Sequence, residues 1–183
     1  GYVLDRPSQL NLDHVEPSGG IFAPTIRHHD GTFYMVTTLR DKPPSLRGAK
    51  PDFRDRNFVV TTDDPAGDWS EPTILVDRPG IIDPSLFFDD DGRTYLVHHR
   101  NPAVQKTPDH TALWVMEVDP ETFAPLSEDI MVVDGAAPAP WHTEYIEGPH
   151  LYKIDGKYIL SAPGGGTGYY HGQLAYRADS PFG

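Results

Sequence analysis

The chain has 183 residues, 38% of them hydrophobic, with 17 glycines, 19 prolines and no cysteine, a length and composition that suit an all-β, turn-rich globule with a sizeable core. A formal net charge of −12 and a pI near 5.0 exclude nucleic-acid and anionic-membrane surfaces, which need a basic face. The absence of cysteine removes disulfides, zinc–thiolate sites and cysteine nucleophiles, and no apolar run approaches the roughly 18 residues of a membrane span.

The opening Gly1-Tyr2-Val3-Leu4 has neither an initiator Met nor a basic-then-apolar leader, so it reads as a chain entered partway, and the compartment stays open. Residues Gly1 to Gly20 offer no clear strand pair; Pro7, Pro17 and Gly19-Gly20 mark loop. Four candidate strands follow: Pro24 to His29, Thr32 to Thr38, Asn57 to Thr62 and Thr73 to Asp77, with a long polar loop, Asp41 to Arg56, between the second and third. A second set repeats the plan with Ser85 to Phe88, Arg93 to Arg100, Ala112 to Asp119 and Asp129 to Asp134, and its loop Asn101 to His110 is again long and polar. The third set gives His150 to Lys153, Lys157 to Ala162 and Gln173 to Ala178. Asp179-Ser180-Pro181-Phe182-Gly183 then parallels Asp63-Asp64-Pro65-Ala66-Gly67, which precedes a fourth strand in the first set, so a fourth strand is expected beyond Gly183.

Each set opens on a Pro-led hairpin: Ala23-Pro24, Asp83-Pro84 and Gly148-Pro149 each lead into an apolar run, an Asp-Gly turn and a second apolar run. The turn glycines Gly31, Gly92 and Gly156 lie 61 and 64 residues apart. Four antiparallel strands at that period describe the blades of a β-propeller; a sandwich would not call for three matching hairpins. The first strand of a propeller blade lies innermost, so Ala23, Asp83 and the Glu147-Gly148 pair are expected near the axis. Two carboxyl groups across a cleft are the minimum equipment for glycoside hydrolysis, one donating a proton while the other acts on water or sugar, and mutual repulsion raises one of the two pKa values. Capping or turn chemistry is the alternative for both acids.

Several motifs in order carry a resemblance: Ser8-Gln9-Leu10, Ser18-Gly19-Gly20-Ile21-Phe22-Ala23-Pro24, Gly67-Asp68-Trp69-Ser70-Glu71-Pro72, Asp83-Pro84-Ser85-Leu86-Phe87, Glu147-Gly148-Pro149-His150-Leu151-Tyr152 and Gly165-Gly166-Thr167. The chain resembles glycoside hydrolase family 43, in particular its β-xylosidases and α-L-arabinofuranosidases. The resemblance implies a five-bladed β-propeller, of which this chain covers about three blades (the end of blade one, blades two and three, most of blade four, all in one partial catalytic domain, 1–183). It implies an inverting mechanism on xylo- or arabino-oligosaccharides with three acids. Glu147 matches the general acid and Asp83 the acid that orients it and raises its pKa. The catalytic base belongs before Ser8-Gln9-Leu10; Asp5 and Asp13 flank that motif without fitting the base's inner-strand setting. Phe22 and Ala23 match an aromatic–small pair that packs on the sugar, Ile82 stands where Phe is common, and Thr167 matches a hydroxyl reaching the pocket. A core role for Phe22 and a turn role for Thr167 stay open. The resemblance requires no cofactor, although a calcium ion on the propeller axis is compatible with it. A non-catalytic carbohydrate-binding propeller is the rival reading.

Other features read as structure. Asp89-Asp90-Asp91-Gly92 lacks the spaced ligands of a calcium loop and reads as a turn. His28-His29 and His98-His99 put neighbours on opposite strand faces, so neither pair chelates one metal, although single histidines remain candidates to line a channel. Gly164-Gly165-Gly166 lacks the Lys-Ser/Thr of a phosphate loop. Trp69 reads as packing, whereas Trp141 and His142 fit either a leaving-group subsite or a loop anchor.

Overall fold

A computed structural model describes residues 1–13, 15, 19–41, 54–77, 80–139 and 141–183. The strands are β1 (Gly20–His29), β2 (Thr32–Asp41), β3 (Arg54–Thr62), β4 (Thr73–Asp77), β5 (Ile81–Phe88), β6 (Thr94–Arg100), β7 (Ala112–Val118), β8 (Ile130–Asp134), β9 (His150–Ile154), β10 (Lys157–Gly164) and β11 (Gly172–Ala178). They form two four-stranded sheets, β1-β2-β3-β4 and β5-β6-β7-β8, and a three-stranded sheet ordered β11-β10-β9. Sequence neighbours pair antiparallel: β1 with β2, β2 with β3, β3 with β4, β6 with β7, β7 with β8, β9 with β10 and β10 with β11. No helix among the described residues is long and apolar enough to cross a membrane.

The largest difference from the sequence expectation is where the first strand of a sheet begins. Pro cannot donate to a ladder, so the expected strand starts are Pro24 and, after Pro84, Ser85. In the structure β1 starts at Gly20 and β5 at Ile81, and both run through their prolines. Between Phe22 and Thr25 the β1–β2 register slips by a residue, a β-bulge that absorbs Ala23-Pro24 against Thr37. The long loop expected over Asp41 to Arg56 is shorter, because β2 continues to Asp41 and β3 starts at Arg54; residues 42–53, with Pro43, Pro44 and Pro51, lie outside the described residues, as do Pro17 and Ser18.

The chain divides into two compact units, Gly1–Ile82 and Asp83–Gly183. In the first, Met35, Leu39, Phe58, Val60 and Trp69 form a core onto which Val3, Leu4, Leu10 and Val15 of the opening segment pack. Gln9, 4% exposed, fixes that segment: its Oε1 accepts the Asp5 and Arg6 amides while its Nε2 donates to the Trp69 and Ser70 carbonyls. Arg6 and Ser8 both bond Glu71. The Ser8-Gln9-Leu10 and Trp69-Ser70-Glu71 motifs are thus two halves of one structural staple, and Trp69, 4% exposed, is packing.

In the second unit the sheets β5–β8 and β9–β11 share one core: Phe87, Tyr95, Val97, Leu113, Val115, Leu151, Tyr158 and Leu160. β10 alternates buried and partly buried residues as a strand buried more on one side does, whereas β5 and β6 are buried nearly throughout. The hairpin turns at Asp30-Gly31 and Asp155-Gly156 have positive φ at both residues, as a two-residue type I′ turn requires. The Asp89-Asp90-Asp91-Gly92 turn is longer, with Gly92 alone left-handed. Its Asp89 serves the core: Lys153 Nζ donates at 2.7 Å and Tyr158 Oη at 2.5 Å, joining the β5–β6 turn to β9 and β10. Burial opposes ionisation of Asp89, yet these donors, with Asp90, hold its pKa at about 2.

Candidate active site

The local geometry of the site comes from one backbone device used three times. Ala23, Asp83 and Gly148, each directly before a proline, have φ of 41°, 55° and 53°. A following proline already disfavours right-handed helix at such a position, and the left-handed conformation costs an L residue about 1–2 kcal/mol. Ala23 and Asp83 bear that cost, whereas Gly148 adopts the same conformation freely, and its recurrence at one step in three units marks a position that the fold holds for a purpose. It also corrects the sequence register. Asp83 corresponds to Ala23 and to Gly148, while Glu147 corresponds to Phe22 and Ile82, one step earlier.

In the second unit the two acids meet through that device. Asp83 is 7% exposed, and its Oδ2 accepts the Gly148 amide at 3.0 Å. The bond fixes the peptide that follows Glu147 directly against the Asp83 carboxylate. Glu147 is half-buried, its own amide donates to the Pro163 carbonyl at 3.2 Å, and its carboxyl makes no hydrogen bond among the described residues. Burial first, and the Asp83 charge second, push the Glu147 pKa above the ordinary glutamate value, while His171 pulls it partly back. One carboxylate is anchored; the other is left to carry a proton.

Thr167 is exposed in the loop 165–171 between β10 and β11. That loop is bound to the segment before Glu147: the Gly165 amide donates to the Glu144 carbonyl at 2.8 Å, and the Tyr170 ring stacks on His142 at 4.1 Å between centroids. Gly165 is needed for close approach, because a Cβ there would fall 2.1 Å from the Tyr170 carbonyl oxygen. The three glycines therefore close a loop. His171 Nδ1 donates to the Gly166 carbonyl at 2.5 Å, which assigns the proton on that nitrogen.

In the first unit Phe22 is half-buried and has the Arg40 guanidinium 5.6 Å from its ring centroid. Its carbonyl accepts the Thr37 hydroxyl at 2.8 Å, which holds the bulge, and Ala23 is exposed. Ile82 is half-buried at the end of this unit. Sequence reading missed Arg40 and His171; for His171 the available signal was the Tyr169-Tyr170-His171 run straight after the glycines.

The histidine pairs are structural where their bonds are seen. His98, fully buried, lies 2.9 Å from Asp129, which also pairs with Arg100. Among the described residues no three or more His, Asp or Glu side chains are grouped so as to hold a metal ion.

Antiparallel sheets in series, each opened by the same left-handed step before a proline, are units of the kind that β-propellers repeat. The chain belongs to the glycosyl hydrolases family 43, whose model matches residues 1–183, and its fold is that family's five-bladed propeller, covered here over about three blades. It is 43% identical over 185 residues to a xylosidase/arabinosidase of Butyrivibrio fibrisolvens, spanning 100% of this chain and 32% of that protein. It is 35% identical over 188 residues to a non-reducing end α-L-arabinofuranosidase of Bacteroides ovatus, spanning 100% of this chain and 30% of that protein. The crystal structure of a xylan β-1,4-xylosidase from Bacillus halodurans superposes with a TM-score of 0.82 at 34% identity, covering 99% of this chain and 32% of that one. The chain thus spans about a third of the length of these relatives.

Proposed function

We propose that the full-length protein containing this chain is a glycosidase that cleaves xylosidic or arabinofuranosidic bonds in hemicellulose-derived saccharides with inversion, and that residues 1–183 are part of its catalytic propeller. The observation that carries this reading is the pairing of unlike carboxyls. Asp83 is buried and bonded to the Gly148 amide, while Glu147 beside it has a raised proton affinity and, among the described residues, no hydrogen-bond donor to its carboxyl. Glu147 delivers its proton to the glycosidic oxygen as the bond to the anomeric carbon breaks. Water bonds to that carbon from the opposite face and gives up its proton to a third carboxylate, which the family pattern sets before Ser8-Gln9-Leu10. Asp83 keeps the acid protonated and its peptide aligned. Phe22, Ala23, Ile82 and Thr167 make up the sugar contacts, Phe22 by its apolar ring face. The xylosidase and arabinofuranosidase relatives support the substrate class.

The test is Glu147→Gln in the full-length protein. Turnover of an unactivated pentoside should fall by about 10³-fold, and a leaving group that needs no protonation should recover most of the loss. Equal loss on both substrates, or near-normal turnover, defeats the assignment of Glu147 as acid.

A further inference from the structure

β2 and β3 of the first unit carry a buried polar ladder that belongs neither to the core cluster nor to the sugar contacts. Thr38 lies opposite Asn57, and Arg40 opposite Asp55 two residues on, so all four share one face of the sheet. Met35, Leu39, Phe58 and Val60 of the core cluster alternate onto the other face. Thr38 and Asn57 are fully buried, and Asp55 is 1% exposed. Such groups are costly to bury, and apolar side chains of similar size would fill the space without that cost. Burial pushes the Asp55 carboxyl up, with the Gly80 amide and the Arg40 guanidinium pulling it partly back.

What the ladder holds is the entry to β5. Thr38 donates its hydroxyl to Asn57 Oδ1 at 2.8 Å, and Asn57 Nδ2 donates in turn to the Ile81 carbonyl at 3.0 Å. Asp55 Oδ2 accepts the Gly80 amide at 2.7 Å, while its Oδ1 lies 3.6 Å from the Arg40 guanidinium and accepts no hydrogen bond among the described residues. Two consecutive residues are thus gripped, one by its amide and the next by its carbonyl. Gly80 is left-handed, with φ of 80°, and Ile81 is fully buried. β5 then runs from Ile81 through Ile82 to Asp83, whose φ of 55° departs from the extended backbone of a strand. A residue in so sparsely populated a conformation stays there only where its surroundings over-determine the backbone. The Gly148 amide fixes the Asp83 carboxylate; Asn57 and Asp55 fix the backbone that delivers it.

We propose that Asn57 and Asp55 are positioning residues for Asp83: they fix the Ile81 carbonyl and the Gly80 amide, and with them the entry of β5 from which Asp83 takes its left-handed conformation. The proposal rests on the reading of Asp83 as the acid that tunes Glu147. The test is steady-state kinetics of the full-length protein on an aryl xyloside and an aryl arabinofuranoside. Asn57→Ala and Asp55→Ala should each lower kcat about tenfold with KM within about twofold, and Asp55→Asn, which keeps an oxygen for the Gly80 amide, should recover most of the loss. In the Asp83→Asn background Asn57→Ala should lower kcat by less than about threefold, because the charge it positions is already gone. Val60→Ala, a core truncation in the same unit, supplies the comparison for stability alone: its effect on kcat should stay under about twofold and be the same in both backgrounds. Should Asn57→Ala not fold, Thr38→Val with Asn57→Leu, which keeps the bulk and removes both polar groups, takes its place in the same cycle. An unchanged kcat, equal losses in the two backgrounds, or an equal loss from Val60→Ala overturns the proposal. If the parent protein hydrolyses no pentoside, the hydrolytic reading falls and the positioning is read from carboxyl carbon NMR of Glu-labelled protein. The Glu147 group should then titrate at lower pH in Asn57→Ala than in the parent, and an unmoved titration overturns the proposal.

Discussion

Asp83 is itself the left-handed residue of its turn and is 7% exposed, whereas Glu147 stands one position earlier and leaves that conformation to Gly148. The difference divides the labour. Asp83 carries about 1–2 kcal/mol of backbone strain and is held by the Gly148 amide, so its carboxylate is fixed in place. Glu147 carries no such strain, and its carboxyl remains available for a proton. A group that must hold still and a group that must exchange are given different backbones.

Three substitutions probe that division. The largest effect is expected from Asp83→Asn, which removes the charge that raises the Glu147 pKa and weakens the bond to Gly148. Turnover of the full-length protein should fall by about 10²-fold or more, with the Glu147-dependent limb of the pH profile moving to lower pH. A profile left in place would mean that burial alone tunes the acid. Next comes Gly148→Ala, whose Cβ would meet only ordinary contacts with Pro163 at 3.5 Å, so strain rather than collision is tested. A loss of about 1–2 kcal/mol in urea unfolding is expected, with a turnover loss of about tenfold as Glu147 shifts. By contrast, Ala23→Gly at the same step of the first unit should gain up to about 1 kcal/mol, because relief of strain exceeds the entropy cost of glycine. If Ala23→Gly destabilises instead, the left-handed position is not a stored cost.

The smallest effect is on stability against pH. Because the folded pKa of Glu147 is raised, its protonated form stabilises the fold, fully so below the ordinary glutamate value, and this is lost as pH rises through the folded pKa. Glu147→Gln should therefore melt higher than the parent at about pH 8, with the gap closing towards about pH 4. Melting curves with the gap constant across pH would remove the electrostatic explanation.

Much of the fold was legible because Asp-Gly turns and alternating runs act locally. β4 has the predicted bounds, and β6, β7, β8, β9 and β11 differ by single residues. The starts of β1 and β5 were misjudged because a proline's missing donor was read as an end, when a bulge and a left-handed residue carry the ladder through it. Both acids could be seen from the repeat, but their division of roles could not, since it depends on which residue has positive φ. His171 lies 24 residues beyond Glu147 and acts on it only once Gly165 has closed the loop. Contact of that kind leaves no local pattern.

The left-handed step before Pro24, Pro84 and Pro149 has a consequence for how such a protein can change. It sets side by side two positions whose side chains differ from sheet to sheet, Phe22 and Ala23 in one, Ile82 and Asp83 in the next, Glu147 and Gly148 in the third, while the proline that follows stays the same. Duplicated sheets thus provide interchangeable sockets, and a single base change in one of them can install or retire a reactive group without renegotiating the scaffold.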